Sequence, residues 1–186
     1  FAAPVLVNAA GAWADQVAAM AGVAPLGLQP KRRTALLLPV PAGIDSTGWP
    51  MIDDVGEAFY FKRDAGAVFL SPADAHPSEP CDAAPDELDI AIAIDRFQQA
   101  ASMPISRVQR AWAGLRTFAP DGSPVVGFDA RAEGFFWLAG QGGYGIKTSP
   151  ALSSITAAAV LGQPFPPALA AAGLSPHDLS PARFAD

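Results

Sequence analysis

The stretch Phe135-Phe136-Trp137-Leu138-Ala139-Gly140-Gln141-Gly142-Gly143-Tyr144-Gly145-Ile146-Lys147-Thr148-Ser149 decides the fold class. Phe135 to Leu138 predicts a strand, the glycines at 140, 142, 143 and 145 a sharply turning loop, and the residues from about Ser149 to Leu161 a helix. Glycines this dense cost backbone entropy, and they are tolerated where a chain must turn tightly or approach a ligand closely. The helix that the loop feeds offers free N–H groups, which favour an electron-rich group nearby. A tight strand-to-helix connection without a ligand accounts for the same composition. The order of residues matches neither a P-loop nor the G-x-G-x-x-G dinucleotide fingerprint.

Working outward, Val125-Val126 predicts a strand preceded by a turn at Asp121-Gly122, and the proline-punctuated chain after Pro164 reads as surface. The N-terminal end has the same character. Val5-Leu6-Val7 is short, β-branched and unalternated, as expected of a strand buried on both faces. It leads through Asn8-Ala9-Ala10-Gly11 into a helix with Trp13, Val17 and Met20 on its apolar face, stopped by Gly22 and Pro25. A core-like strand so close to Phe1, with no secretory leader, suggests that the chain begins inside a larger fold.

The middle differs. Arg33 to Leu38 predicts a strand, and Phe59-Tyr60-Phe61 and Val68-Phe69-Leu70 flank Asp64-Ala65-Gly66 as a hairpin with glycine in the left-handed position. Pro72 to Pro85 is too rigid and polar for core. Pro85 opens a helix with Asp86 and Glu87 in its first turn and Leu88, Ala91, Ile92 and Phe97 inward. Arg107 to Trp112 predicts a further strand, with Val108, Arg110 and Trp112 on one side. The fold class is therefore α+β with an α/β part, an antiparallel sheet unit lying between two α/β pieces.

Composition narrows the function. Of 186 residues, 51% are apolar and 16% charged, enough for a large core and too few charges for wholesale disorder. Twelve basic against eighteen acidic residues, a net charge of −6, argue against nucleic acid or an anionic membrane as principal partner. The single Cys81 permits no internal disulfide and no cysteine cage, and His76 and His177, far apart in proline-rich surroundings, form no zinc or triad signature. No metal ligands are assigned. No apolar run is long enough to span a bilayer.

Candidate site residues carry two readings each. Arg116, in Ala113-Gly114-Leu115-Arg116, serves either an internal ion pair or a ligand carboxylate or phosphate. Arg33, in Lys31-Arg32-Arg33, is a ligand contact or part of a solvated basic patch. Tyr60 is a core aromatic or a strand-borne ligand contact, and Glu57 a turn carboxylate unless recruited. Trp13 and Trp112 read most simply as core.

Three stretches resemble the FAD-dependent amine and D-amino acid oxidoreductases, the group that holds glycine oxidase and sarcosine oxidase. They are Val7 to Trp13, Trp112 to Arg116 with Asp121-Gly122, and Gly134 through Ser149. Within that group the pattern is most similar to D-arginine dehydrogenases, through Pro30-Lys31-Arg32-Arg33, Gly43-Ile44-Asp45, Trp49-Pro50-Met51, Glu57-Ala58-Phe59-Tyr60 and Gln141 to Ile146. Nearly all of the chain takes part, and it corresponds to the C-terminal half of such an enzyme.

The resemblance implies FAD as cofactor and a D-amino acid, with a basic one in view, as substrate, oxidised to an imino acid that hydrolyses to the 2-oxo acid and ammonia. It implies an antiparallel substrate unit, residues 29–115, inserted between portions of a Rossmann-like FAD-binding domain, residues 1–28 and 116–186. Arg116 falls at the substrate-carboxylate arginine and Tyr60 at a tyrosine supporting that carboxylate. Arg33 and Glu57 match polar residues near the site, and Gly143 a backbone contact to substrate or flavin. Gln141, Gly142, Gly143, Tyr144, Gly145, Ile146, Lys147 and Thr148 match the segment passing the flavin's pyrimidine side, and Ala10 and Gly11 a strand end near its adenosine and pyrophosphate. No side chain is assigned as a catalytic acid or base, because the hydride chemistry is the flavin's.

Two departures stand out. Lys147 occupies a place where the arginine enzymes carry glutamine and sarcosine-oxidase-like members a lysine, which keeps an N-methyl amino acid oxidase as an alternative. Gly114 takes the place of the flavin-linking cysteine of covalently modified relatives, so FAD is expected to be noncovalent. The implied partner is the N-terminal FAD-binding half, in the same gene or a separate chain, and the implied location cytoplasmic or at the inner membrane. A non-catalytic binding or structural domain is the reading if no such half exists.

Overall fold

The computed structural model describes residues 2–101 and 103–184. The chain divides into two compact units, Phe1–Pro30 with Arg116–Asp186, and Lys31–Leu115. The architecture is mixed α/β: a small mixed sheet in the first unit and an antiparallel sheet in the second.

The first unit holds a three-stranded sheet in the order β1 (Leu6–Asn8), β9 (Phe135–Ala139), β8 (Val125–Phe128), with β1 parallel and β8 antiparallel to β9. Period-two alternation sends neighbouring residues to opposite faces. Val125, Phe135, Trp137 and Ala139 pack with α1 (Ala14–Met20) through Ala14 and Ala18. Val126 and Phe136 pack with α3 (Gly145–Val160) through Leu152 and Ile155. The result is a helix–sheet–helix sandwich.

Asn8 staples the first strand–turn–helix unit. Its buried amide donates to the Ala14 carbonyl at 2.8 Å, while its Oδ1 accepts the Ala10 N–H at 3.3 Å. The Asp15 carboxylate accepts the N–H groups of Leu26 and Leu28, which fixes the segment that follows α1. Helix α1 ends in a Schellman motif, with Gly22 at φ +73° donating to Ala19 O and Val23 to Ala18 O.

Several sequence expectations are corrected here. Val5-Leu6-Val7 is not buried on both faces: β1 is an edge strand, and Leu6 and Val7 are 47% and 40% exposed. The inward face of α1 is Ala14 and Ala18, while Met20 is 88% exposed and Trp13, which ends a short 3-10 turn at Gly11–Trp13, is also exposed. Helix α3 starts at Gly145 rather than near Ser149 and runs through Pro150. Proline cannot donate to the Ile146 carbonyl, and the Ser149 hydroxyl donates to it instead, at 3.0 Å. The tail is not merely surface. After α4 (Pro167–Ala171) and α5 (Pro176–Leu179), Leu179 is buried, and Arg183 donates to both carboxylate oxygens of Asp121.

The second unit is a sheet in the order β3 (Ile52–Asp53), β4 (Tyr60–Asp64), β5 (Ala67–Ser71), β2 (Gln29–Pro39), β6 (His76–Pro77), with β7 (Arg110–Phe118) also pairing β2. The β4–β5 turn has both Ala65 (φ +47°) and Gly66 (φ +83°) in the left-handed region, as a two-residue hairpin requires. Leu36, Leu38, Phe61, Val68 and Leu70 form one sheet face, covered by α2 (Glu87–Ala101).

Helix α2 begins two residues later than expected. Asp86 caps it by accepting the Leu88 N–H at 2.9 Å, and Pro85 precedes the cap. Its inward residues are Ile90, Ala93, Ile94 and Phe97, whereas Leu88 is exposed. Strand β7 lies three residues C-terminal to the expected Arg107 start and extends to Phe118. The proline-rich segment contributes β6, which pairs Lys31 and Arg32 of β2. No helix among the described residues is long and apolar enough to cross a membrane.

A buried carboxylate makes the first unit acid-sensitive. Asp129 is pulled upward in pKa by burial, but the Trp137 indole N–H at 3.0 Å, the Arg131 N–H and the Arg131 guanidinium outweigh that and hold it below the usual carboxylate value. A carboxylate depressed in the folded state stabilises above its unfolded pKa of about 3.9, and that stabilisation is lost as pH falls through the folded value. Urea midpoints measured between pH 6 and pH 3 should therefore fall more steeply for the native chain than for Asp129→Asn. Parallel profiles would show that Asp129 carries none of this dependence.

Candidate functional site

In the first unit the glycine loop is laid against the end of β7. Gln141 bridges to Phe118, and the Gly142 N–H donates to the Thr117 carbonyl at 2.8 Å. Gly142 has φ +53°, and a β-carbon there would lie 2.5 Å from Phe118 Cε1, so only glycine fits. A β-carbon on Gly143 would come within 3.2 Å of Arg116 Nη1, which places the guanidinium along the loop backbone. The loop therefore needs its glycines to lie flat on the strand that carries Arg116.

Arg116, Gln141, Gly142, Gly143, Gly145 and Ile146 line one open cleft of about 510 Å³. Helix α3 starts at its wall. Tyr144, at the N-cap position, makes no side-chain cap bond, and the helical ladder opens with Thr148 donating to Tyr144 O, so the N–H groups of Gly145, Ile146 and Lys147 precede it. Such a terminus carries partial positive charge. Lys147, with Nζ 4.8 Å from the Tyr144 ring centroid, adds a full cation at the same end. Ile146 is almost wholly exposed. These features suit an electron-rich, flat ligand edge, so the residues present fit a flavin. A second cleft, about 350 Å³, is lined by Val126, Phe128, Ile155, Phe165 and His177 and contains none of the expected site residues.

Ala10 and Gly11 form the turn after β1. The Ala10 carbonyl accepts the Trp13 N–H at 3.0 Å, and Gly11 has φ +56° with open space where a β-carbon would stand.

In the second unit, the sheet face opposite α2 carries Arg33 and Tyr60 of the expected residues. Tyr60 and Phe69 stack at 6.0 Å, and Phe69 meets Trp112 edge-on at 5.8 Å. Three cations lie over these rings: Arg33 on Tyr60 at 5.9 Å, Lys62 on Phe69 at 5.6 Å, and Arg110 on Trp112 at 5.5 Å. Arg33 and Tyr60 are thus brought together, and Arg33 is not a solvated patch residue. Sequence reading missed Phe69 as a member and took Trp112 for core. Alternation along β5 could have flagged Phe69, since Val68 and Leu70 face the buried side. Glu57 lies in the exposed turn before β4, at φ +56°, with its N–H on Asp54 O. Gly114 is exposed, and a β-carbon added there would meet open space.

Asp74, His76 and Asp89 offer ligand atoms within 4.8 Å of one another. Arg32 binds Asp89 at 2.7 Å, His76 meets Asp89 at 3.2 Å, and Thr34 engages both oxygens of Asp74. Their charge is compensated by protein groups, and they are not assigned to a metal.

Residues 1–159 match the family model described as "FAD dependent oxidoreductase" (DAO). The chain is 28% identical over 179 residues to FAD-dependent oxidoreductase domain-containing protein 1 of Bos taurus, covering 84% of this chain and 35% of the relative. The Xenopus laevis protein of that name is 27% identical over 173 residues, covering 82% of this chain and 34% of the relative. Among solved structures, L-proline dehydrogenase from P. horikoshii superposes with TM-score 0.77 at 23% identity, over 97% of this chain and 46% of the other. Iminodiacetate oxidase from Chelativorans sp. BNC1 gives TM-score 0.75 at 20% identity, over 97% and 47%. The chain thus spans about a third of the curated relatives' length and about half of the structural neighbours'.

Proposed function

The chain belongs to the family of FAD dependent oxidoreductases, and from that premise we propose that it is the substrate-carboxylate-binding half of an enzyme oxidising D-amino acids. The single observation that carries this reading is Arg116 laid along the glycine loop at the mouth of an uncapped helix N-terminus. FAD, when bound, supplies the hydride acceptor. The chain's own residues supply placement and electrostatics.

Arg116 takes the α-carboxylate through two parallel N–H bonds, which orients the α-carbon as well as binding it. Tyr60 and Arg33 are substrate contacts on the sheet unit, and Glu57, whose carboxylate suits a basic substrate side chain, is a further candidate contact. Gln141 to Thr148, with Ala10, Gly11 and Gly114, are the cofactor-binding residues. The N–H groups at the start of α3 stabilise negative charge that develops on an electron-rich ring during reduction. Gly114 offers no sulfur, so FAD is held noncovalently.

The exposed edge of β1, with Leu6 and Val7 half-open, supports pairing with a further FAD-binding segment. That segment belongs to the proposal, and the 186 residues without it are expected not to hold FAD tightly. Two measurements test the reading. Titrating FAD into the isolated chain should give no stoichiometric complex by absorbance. The full open reading frame, assayed on D-, L- and N-methyl amino acids with oxygen and an artificial acceptor, should prefer D-amino acids and release its flavin on acid precipitation. Preference for N-methyl amino acids would instead favour the reading that Lys147 keeps open, and no turnover of any amino acid would overturn the proposal.

A further inference from the structure

We propose that Asp74 is a positioning residue that sets the Arg33 guanidinium on the open sheet face and thereby sets substrate affinity without touching substrate. The inference rests on the reading of Arg33 and Tyr60 as substrate contacts.

Strand β2 pairs β5 over Leu36 to Pro39 and β6 over Lys31 and Arg32. Between these ladders, Arg33 and Thr34 meet the looped segment 72–75, and Asp74 fills the gap. Its Oδ1 accepts the Thr34 N–H at 2.7 Å, its Oδ2 accepts the Thr34 hydroxyl at 3.0 Å, and its carbonyl accepts the Arg33 Nε–H at 2.6 Å. Asp74 thus supplies the missing strand partner of Thr34 with its side chain and, pinned there, presents its carbonyl to the Arg33 side chain. The Asp74 side chain is 3% exposed, too buried for a solvated loop carboxylate.

The segment is built to bring it inward. Ala73 sits at φ +55°, a conformation rare for any residue but glycine, and its N–H is held by Ser71 Oγ at 3.2 Å. The Pro72 carbonyl accepts from Arg96 of α2 at 3.1 Å. The Arg33 side chain is 18% exposed, and with Nε engaged its guanidinium carbon is set 5.9 Å from the Tyr60 ring centroid, where its two terminal nitrogens can meet an anion. Binding then costs less side-chain ordering, because the fork is set beforehand.

The test is a mutant cycle on the full open reading frame, using its fastest D-amino acid. Asp74→Ala should raise KM about tenfold while changing kcat less than about twofold, since a positioning loss acts on binding. Asp74→Asn keeps the acceptor for the Thr34 N–H and reverses the other bond, its amide donating to the Thr34 hydroxyl oxygen, and should restore KM to within about threefold of the native value. Arg33→Lys should raise KM at least as much as Asp74→Ala, and the double variant should be no worse than Arg33→Lys alone. Asp74→Ser, which keeps one acceptor for Thr34, gives the same comparison should Asp74→Ala fail to fold. Additive losses, or an unchanged KM in Asp74→Ala and Asp74→Ser beside a raised one in Arg33→Lys, would overturn the inference and leave the reading of Arg33 standing. An unchanged KM in Arg33→Lys would overturn both.

Discussion

Replacing Arg116 by alanine in the full open reading frame is expected to raise KM for a D-amino acid by about 10²–10⁴-fold. Two charge-assisted bonds to a carboxylate contribute about 1.5–3 kcal/mol each, and each 1.4 kcal/mol is tenfold. Arg116→Lys keeps the charge but not the two-point fork, so it should recover only part of that loss, about tenfold. The protein should stay folded, because Arg116 is partly exposed and no buried cluster includes it. Steady-state kinetics beside a thermal midpoint separate the two effects. An unchanged KM at unchanged fold would remove Arg116 from the substrate and leave the glycine loop as a structural connection.

The second large effect is on stability. Gly142→Ala should destabilise by about 3 kcal/mol, combining left-handed backbone strain with overpacking. A domain of this size loses about 2–4 °C in Tm per kcal/mol, so a fall of about 6–12 °C is expected. The useful control is Gly162→Ala, since Gly162 has φ +65° and open space where a β-carbon would stand. That variant carries the backbone strain without the collision with Phe118 and should lose about 1 kcal/mol. Adding Phe118→Leu to Gly142→Ala should recover part of the difference. Equal losses at Gly142 and Gly162 would mean that the loop can lift off β7 at little cost, and the placement of Arg116 along it would lose its support.

Some of the site was legible before any tertiary information. The glycine loop declares itself because its composition is intolerable in an ordinary helix or strand. Arg116 stands out as a cation among apolar residues, and the β4–β5 hairpin follows from Ala65-Gly66. The start of α3 lies earlier than its sequence pattern predicts because proline usually marks a first turn, whereas here Ser149 takes the carbonyl that Pro150 cannot serve. The inward face of α2 differs from its expected one because periodicity counts Asp89 as polar and outward. Its burial depends on Arg32, which lies far away in sequence.

By itself the sequence determined the family pattern, the alternation of strands and helices, and the residue types at each candidate position, because these depend on local backbone preference and side-chain chemistry. Only the tertiary structure decided which faces are inside. Leu6, Val7 and Met20 are apolar yet exposed, and the side chains of Asp74 and Asp89 are charged yet buried. Burial belongs to a residue's neighbours rather than to the residue. For the same reason Asp74, in a segment whose prolines read as surface, could emerge as the partner of Arg33 only once β2, β5 and β6 were paired.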